Sequence, residues 1–228
     1  MQDSDILTHD AWPWFLMRTF SILLSGSLTP TLRLKAQIAG SRVIAADGGM
    51  AHAGPLGLEP ELWVGDFDSA SAELQQTYAH VPREEHPTGK DFTDGELAIE
   101  AALARGAERL ILVGAMGGQT DQALAHMLLG VRLAGQGIPT LLSSGNEEAH
   151  PLLPGTLQLD LPPLSKLSLL PLGGFIGLSL RGVRWPLQNA EIPLGSTRTL
   201  SNLALGRVEI ELEAGYGVLI AYPEPATL

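Results

Sequence analysis

Residues 62–69 read LWVGDFDS, a short apolar run followed by a glycine, two aspartates and a serine. Four other stretches have the same form, with an apolar run closed by glycine, serine or aspartate: residues 20–26, 43–49, 110–118 and 138–145. Short, continuously apolar runs are typical of strands that are buried on both faces, as in a parallel sheet covered by helices. The first half of the chain is therefore expected to contain a parallel sheet.

Helical segments fall between these runs. Thr93 and Glu96 have the spacing of a capping box at a helix start. An alanine-rich stretch follows to Arg105, and Gly106 stands where a glycine commonly ends a helix. A second helix is predicted over residues 121–134. Strands that alternate with helices predict a doubly wound α/β layer.

The second half of the chain has a different texture. Nine of the 16 prolines lie at residues 151–225, and helical periodicity disappears there. Residues 208–213, VEIELE, alternate apolar and acidic side chains, which indicates a half-exposed strand. Residues 175–180 and 218–222 are also predicted strands, separated by turn residues. These features predict a smaller, all-β sandwich.

We therefore expect three parts in the chain. Residues 1–17 form an N-terminal extension whose aromatic side chains pack on the same chain. Residues 18–148 form a doubly wound, mainly parallel α/β domain. Residues 149–228 form the β-sandwich domain.

Composition excludes several classes of protein. The 228 residues contain 25 acidic and 14 basic side chains, a formal charge of −11, which disfavours nucleic-acid binding. Cysteine is absent, so disulfides, thiolate metal sites and cysteine nucleophiles are excluded. There is no apolar stretch of the roughly 18–20 residues that a membrane span needs, and the acidic N-terminus does not resemble a secretory signal. We expect a soluble, cytoplasmic protein that binds neither nucleic acid nor membrane.

Acidic side chains follow several of the predicted strands. The carboxyl ends of parallel strands share one edge of a sheet, so we expect Asp47, Asp66, Asp68 and the loop 114–121 to converge there, joined by the segment 90–94. Clustered carboxylates repel one another, and a divalent cation relieves that repulsion. Oxygen ligands favour Mg²⁺ or Mn²⁺, and glycine-rich turns offer backbone N–H groups to phosphates. The sequence thus predicts metal-assisted phosphoryl or nucleotidyl transfer.

Six motifs in order resemble the thiamine pyrophosphokinase family. They are ADGG at 46–49, GDFDS at 65–69, KDFTD at 90–94, GGQTD at 117–121, GVRWPL at 182–187 and LSN at 200–202. The resemblance spans roughly residues 20–222. It implies an enzyme that moves a pyrophosphoryl group from ATP to the hydroxyl of thiamine, giving thiamine diphosphate and AMP. It also implies Mg²⁺ dependence and a homodimer with sites formed between subunits.

The resemblance assigns roles to individual residues. Residues 18–148 would bind ATP and Mg²⁺, and residues 149–228 would bind thiamine. The expected metal ligands are Asp47, Asp66, Asp68, Asp91 and Asp94. The expected ATP contacts are Asp47, Gly48, Gly49, Ser69, Lys90, Gly117, Gly118 and Gln119. The expected thiamine contacts are Asp121, Gln122, Trp185, Ser201 and Asn202. The expected catalytic residues are Asp66, Asp68, Asp91, Asp94 and Asp121, with an aspartate of this cluster as the general base.

Three positions depart from the family pattern. Gln119 stands where arginine is usual, which removes a fixed positive charge, and we expect Arg83 to compensate from the adjacent loop. Ala51 replaces an asparagine, and Leu203 stands where an acid is frequent.

Three other functions compete with this interpretation. One is a pyrophosphokinase of another heterocyclic alcohol, such as a hydroxymethyl pterin. The second is a metal-dependent phosphatase with Asp66 or Asp68 as nucleophile. The third is a non-catalytic thiamine-binding protein, which Gln119 makes plausible.

Overall fold

The computed structural model describes residues 17–87 and 91–225 in two compact units. Met17–Leu128 and Gly137–Asn146 form the first, which we call the α/β unit. Leu129–Gln136 and residues 147–225 form the second, the β unit. The extension predicted at residues 1–17 lies outside the described residues except for Met17, as does Lys90.

The α/β unit contains the predicted parallel sheet. Its strands are β1 Thr19–Leu23, β2 Arg42–Ala46, β3 Leu62–Gly65, β4 Arg83–Glu85, β5 Arg109–Val113 and β6 Thr140–Ser143. They pair in parallel in the order β4-β3-β2-β1-β5-β6. The α/β class and the parallel pairing are confirmed. Strand β4 was not predicted, because it is three polar residues long and carries no apolar run.

Helices connect these strands. They are α1 Leu32–Ile38, α2 Ala53–Leu56, α3 Ala72–Thr77, α4 Asp94–Ala104 and α5 Thr120–Gly135, with a 3-10 helix at Asp47–His52. One half of the predicted capping box at α4 is observed, since the Thr93 side chain accepts a hydrogen bond from the Glu96 N–H at 3.2 Å. The core is built on strand residues that are buried at successive positions, with Trp63 at its centre as the largest fully buried side chain.

The β unit is built from long, bent strands. They are β7 Glu148–Leu152, β8 Gly155–Asp160, β9 Ser165–Val183, β10 Leu187–Ile192, β11 Asn202–Leu212 and β12 Ala214–Pro225. Their order is β7-β12-β9-β11-β8, and β10 pairs with β9. The alternation predicted at 208–213 is observed, because Val208, Ile210 and Leu212 are buried while the glutamates between them are half-buried. The described residues contain no helix long and apolar enough to cross a membrane.

Candidate active site

A cavity of about 550 Å³ opens at the carboxyl ends of the strands of the α/β unit. Strand β1 lies between β2 and β5, so the strand order reverses there, which is where ligands bind in open α/β sheets. The lining comes from the loops that follow these strands, from the start of α4 and from the first turns of α5. Predicted site residues in this lining are Asp47, Asp66, Asp94, Gly117, Gly118, Gln119 and Gln122.

Three carboxylates meet at one side of this cavity. Asp47, Asp66 and Asp68, which we call the carboxylate triad, each offer one oxygen within 4.8 Å of the others. Asp47 Oδ1 is buried and has no hydrogen-bond partner among the described residues. The charge of Asp66 raises the pKa of Asp68 above its usual range, and desolvation and the charges of Asp47 and Asp94 add to the shift. Three converging carboxylates with an orphaned oxygen are a donor set that fits a divalent cation.

Local backbone contacts place the triad. Asp47 begins the 3-10 helix directly after β2, and the Ser69 hydroxyl donates a hydrogen bond to its Oδ2. The Asp68 N–H donates to Asp66 Oδ1 at 3.2 Å, which closes a tight turn after β3. A Cβ atom on Gly49 would collide with the carbonyl oxygen of Leu23, so only glycine lets the 3-10 helix approach β1 this closely.

The remaining predicted carboxylates lie apart from the triad. Asp94 lines the cavity at the first residue of α4. Asp91 is exposed and is not among the lining residues. Asp121 is also exposed outside the lining, and its Oδ1 accepts a hydrogen bond from the Gln122 N–H at 2.9 Å. The cavity is therefore reached by three of the five predicted metal ligands, with Asp68 completing the triad at its edge.

The charge of the cavity lining is negative. No lysine or arginine of the described residues lines it. Arg83 does not compensate for Gln119, since its guanidinium Cζ lies 4.9 Å from the centroid of the Trp63 ring and its Nη2 donates to the carbonyl oxygen of Gln75 at 3.1 Å. An anionic ligand in this cavity needs positive charge from elsewhere.

Two parts of the lining were not singled out from the sequence. The loop of Ser25, Gly26 and Ser27 follows β1, and its Ser-Gly-Ser composition is the signal that could have revealed it. His126 lines the cavity from α5, and its Nδ1 lies 3.0 Å from the carbonyl oxygen of Ala115. A carbonyl oxygen only accepts, so Nδ1 is the donor of this hydrogen bond.

The β unit holds three of the five residues predicted for thiamine, Trp185, Ser201 and Asn202, while Asp121 and Gln122 belong to the α/β unit. Asn202 is buried, its Oδ1 accepts from the N–H groups of Trp185 at 3.1 Å and Leu203 at 2.9 Å, and its Nδ2 donates to the Trp185 carbonyl at 2.8 Å. The Trp185 side chain is 54% exposed. Ser201 is exposed and has a left-handed backbone with φ of 57°. The Asn202 side chain is thus used to hold the loop that presents the indole of Trp185.

Comparison with known proteins agrees with both units. Residues 36–142 match the thiamin pyrophosphokinase catalytic domain, and residues 156–217 match the thiamin pyrophosphokinase vitamin B1 binding domain. A thiamine pyrophosphokinase from Bacillus subtilis is 28% identical over 163 residues, which is 70% of this chain and 76% of that protein.

Solved structures give the same result. The crystal structure of thiamin pyrophosphokinase from Geobacillus thermodenitrificans is 26% identical and superposes with a TM-score of 0.78, covering 92% of this chain and all of that one. The thiamine pyrophosphokinase from Bacillus subtilis, at 23% identity, shows the same fold with a TM-score of 0.79 over 90% of this chain and 99% of that one.

The two matched domains, one catalytic and one that binds the vitamin, are those of a pyrophosphokinase, which is a group-transfer enzyme. The two family models together cover well over half of the sequence. The chain belongs to the thiamin pyrophosphokinase family, whose activity is the pyrophosphorylation of thiamine.

Proposed function

We propose that the protein transfers the pyrophosphoryl group of ATP to the hydroxyl of thiamine, giving thiamine diphosphate and AMP, in a Mg²⁺-dependent reaction that Mn²⁺ also supports. The observation that carries the proposal is the carboxylate triad at the edge of the cavity, in a chain whose two halves match the two domains of this family. As in other pyrophosphokinases, the alcohol oxygen bonds to the β-phosphorus in line as the bond from that phosphorus to AMP breaks.

The triad supports the metal part of the proposal. Asp47, Asp66 and Asp68 would hold the cation, with Asp94 and Asp91 as further ligands. The buried Oδ1 of Asp47, which has no hydrogen-bond partner among the described residues, gives a ligand atom for the cation. The cation, when bound, neutralises charge on the phosphate oxygens. A carboxylate of the site accepts the hydroxyl proton, for which Asp121 and the triad are the candidates.

Backbone N–H groups supply the phosphate contacts. The turns at Gly48 and Gly49 and at Gly117 and Gly118 would face the triphosphate, together with Ser69 and Gln119. Gly117 and Gly118 have left-handed backbones, with φ of 88° and 86°, a conformation that suits glycine. Lys90 is proposed as the cation on a phosphate, since no lysine or arginine of the described residues lines the cavity.

The proposed thiamine contacts of the β unit are the exposed indole of Trp185, Ser201 and Asn202, and those of the α/β unit are Asp121 and Gln122. An aromatic face attracts the cationic thiazolium ring of thiamine. The Asn202 hydrogen bonds support a role in holding Trp185 in place. We further propose that the enzyme is a homodimer, which sedimentation of the full chain would test.

One assay tests the reaction. The protein is incubated with ATP, Mg²⁺ and thiamine, and the products are separated. We expect AMP and thiamine diphosphate in equal amounts. ADP as the sole nucleotide product would indicate simple kinase chemistry, and turnover of a hydroxymethyl pterin in place of thiamine would indicate the other pyrophosphokinase. Tight thiamine binding without turnover would indicate a binding protein.

A further inference from the structure

Both loops that carry the triad contain a non-glycine residue with a left-handed backbone. Asp47 has φ of 42°, and Phe67, which lies between Asp66 and Asp68, has φ of 62°. Residues other than glycine adopt this conformation uncommonly, and contacts with the surrounding structure help to hold them in it. The positions of the triad oxygens therefore depend on what holds these two residues.

Trp63 contacts both of them. Its Nε1–H donates a hydrogen bond to the carbonyl oxygen of Asp47 at 2.8 Å. Its ring meets the ring of Phe67 edge to face, with 5.0 Å between centroids and an angle of 87°. Trp63 is fully buried and Phe67 is 8% exposed, so both contacts are shielded from water.

Arg83 covers the two rings from the edge strand β4. Its guanidinium Cζ lies 4.9 Å from the centroid of Trp63 and 5.1 Å from that of Phe67. The guanidinium donates to the carbonyl oxygen of Gln75 at 3.1 Å, and the Gln75 Nε2 donates in turn to the carbonyl oxygens of Phe67 at 3.4 Å and Ala70 at 3.0 Å. Arg83 is thereby linked to Phe67 in two ways. It contacts the Phe67 ring directly, and it reaches the Phe67 carbonyl oxygen through Gln75.

We infer that Trp63, Phe67 and Arg83 form an aromatic brace that fixes the spacing of the triad and so sets its affinity for the divalent cation. Trp63 and Arg83 are positioning residues, since they contact the backbone and ring of the triad loops and not the triad oxygens. The inference rests on the metal site of the proposed function. It also gives Arg83 a role different from the phosphate contact that was expected from the sequence.

A matched arginine separates this role from general stabilisation. Arg42 lies at the first residue of β2, at the end of the strand opposite Asp47, with its Cζ 4.5 Å from the centroid of Phe20. It pairs with Glu61 at 2.6 Å. Arg42 thus makes the same kind of ring contact in the same unit, far along the strand from the triad.

The test measures Mn²⁺ binding to the full chain, from the electron paramagnetic resonance signal of free Mn²⁺. We expect Arg83→Met and Trp63→Phe each to raise the Kd for Mn²⁺ by about threefold to tenfold, the worth of one ring contact or hydrogen bond. Arg83→Lys keeps the charge over the rings and should recover part of the affinity. Arg42→Met should leave Kd unchanged although it lowers the melting temperature.

Partial unfolding would lower the number of Mn²⁺ sites and not their Kd, so the two effects are separable. Arg83 is exposed, so Arg83→Met tests the inference even if Trp63→Phe fails to fold. An unchanged Kd in Arg83→Met would overturn the brace, as would an equal rise in Arg42→Met. Mn²⁺ binding that is absent in the wild type, or that survives in Asp66→Asn, would overturn the metal site itself and the brace with it.

Discussion

The α/β unit and the β unit both bring carboxylates close together, and they differ in what balances the charge. In the β unit, Glu209 and Glu211 share Arg181, with N–O distances of 2.6 and 2.8 Å. The hydrogen bond from Arg181 lowers the pKa of Glu211. In the α/β unit, the triad has no cationic partner among the described residues, and the charge of Asp66 raises the pKa of Asp68.

The difference separates a structural cluster from a functional one. A balanced cluster stabilises the fold by itself, whereas an unbalanced cluster destabilises the protein until a counter-charge arrives from solution. Substitutions in each unit test this contrast.

Removing triad charge is expected to have the largest effect. Asp66→Asn and Asp68→Asn should each lower turnover by about 10²–10³-fold, because the cation that neutralises charge on the reacting phosphates would lose a ligand. The melting temperature should stay the same or rise, since repulsion is relieved. Product assays and thermal unfolding measure both.

Glu73→Gln is the matched control, since Glu73 is exposed on α3 and lies outside the cavity lining. It should retain full activity. Wild-type turnover in both aspartate variants would show that the triad has no catalytic role.

Asn202→Ala tests the β unit, where polar groups are paired with one another. It leaves three backbone groups of the Trp185 loop without a partner, which should cost about 1–3 kcal/mol of folding free energy. Displacement of Trp185 should raise KM for thiamine about tenfold and leave KM for ATP unchanged. A tenfold change corresponds to about 1.4 kcal/mol of binding free energy. Equal defects for both substrates would contradict a role confined to thiamine.

Gln119→Arg adds a positively charged side chain to the acidic cavity of the α/β unit. Because Gln119 lines the cavity, the variant should lower the apparent KM for ATP by about threefold to tenfold through a charge-assisted contact. Initial rates at varied ATP concentrations measure it. An unchanged KM would place this side chain away from the phosphates.

The smallest effect is expected for Arg181→Met, and it depends on pH. The native pKa of Glu211 is lowered, so the stability that its pairing contributes is present above its unfolded pKa and is lost as pH falls through the native pKa. The variant should therefore be slightly less stable than wild type at neutral pH and equal to it in acid. Thermal unfolding across pH measures the difference.

Asp68→Asn should show the opposite sign in the same experiment. The native pKa of Asp68 is raised, so its charge destabilises the fold at neutral pH, and that penalty disappears as pH falls through the native pKa. Arg207→Met is a control for Arg181→Met, because the Arg207 guanidinium donates to the neutral side chain of Gln158. A pH-independent defect in Arg181→Met would remove the contrast between the units.

The sequence predicted the features that depend on local pattern. The buried runs that became β1, β2, β3, β5 and β6 were visible because parallel strands are apolar at successive positions. The triad followed from topology, since its members come directly after adjacent strands. The capping box at Thr93 was readable because it spans only one turn of helix.

Features that depend on tertiary contacts were not predictable. The pattern of burial on α5 is one such feature, since Leu124 and Leu128 are about half exposed while Gly130 and Leu133 are buried. Asp91 belongs to the same motif as Asp94, but the chain turns between them and only Asp94 faces the cavity. The contact of Arg83 with Trp63 joins residues from two strands, and no spacing rule reveals it.

Trp63 and Trp185 have different surroundings, so their intrinsic fluorescence should report on the two units separately. Trp63 is fully buried under a guanidinium, so its emission should be blue-shifted and inaccessible to iodide, whereas the half-exposed Trp185 should emit further to the red and be quenched. With Trp12 and Trp14 replaced by phenylalanine, the remaining fluorescence separates into one signal from each unit. Cation and vitamin binding can then be followed at two wavelengths in a single unlabelled sample.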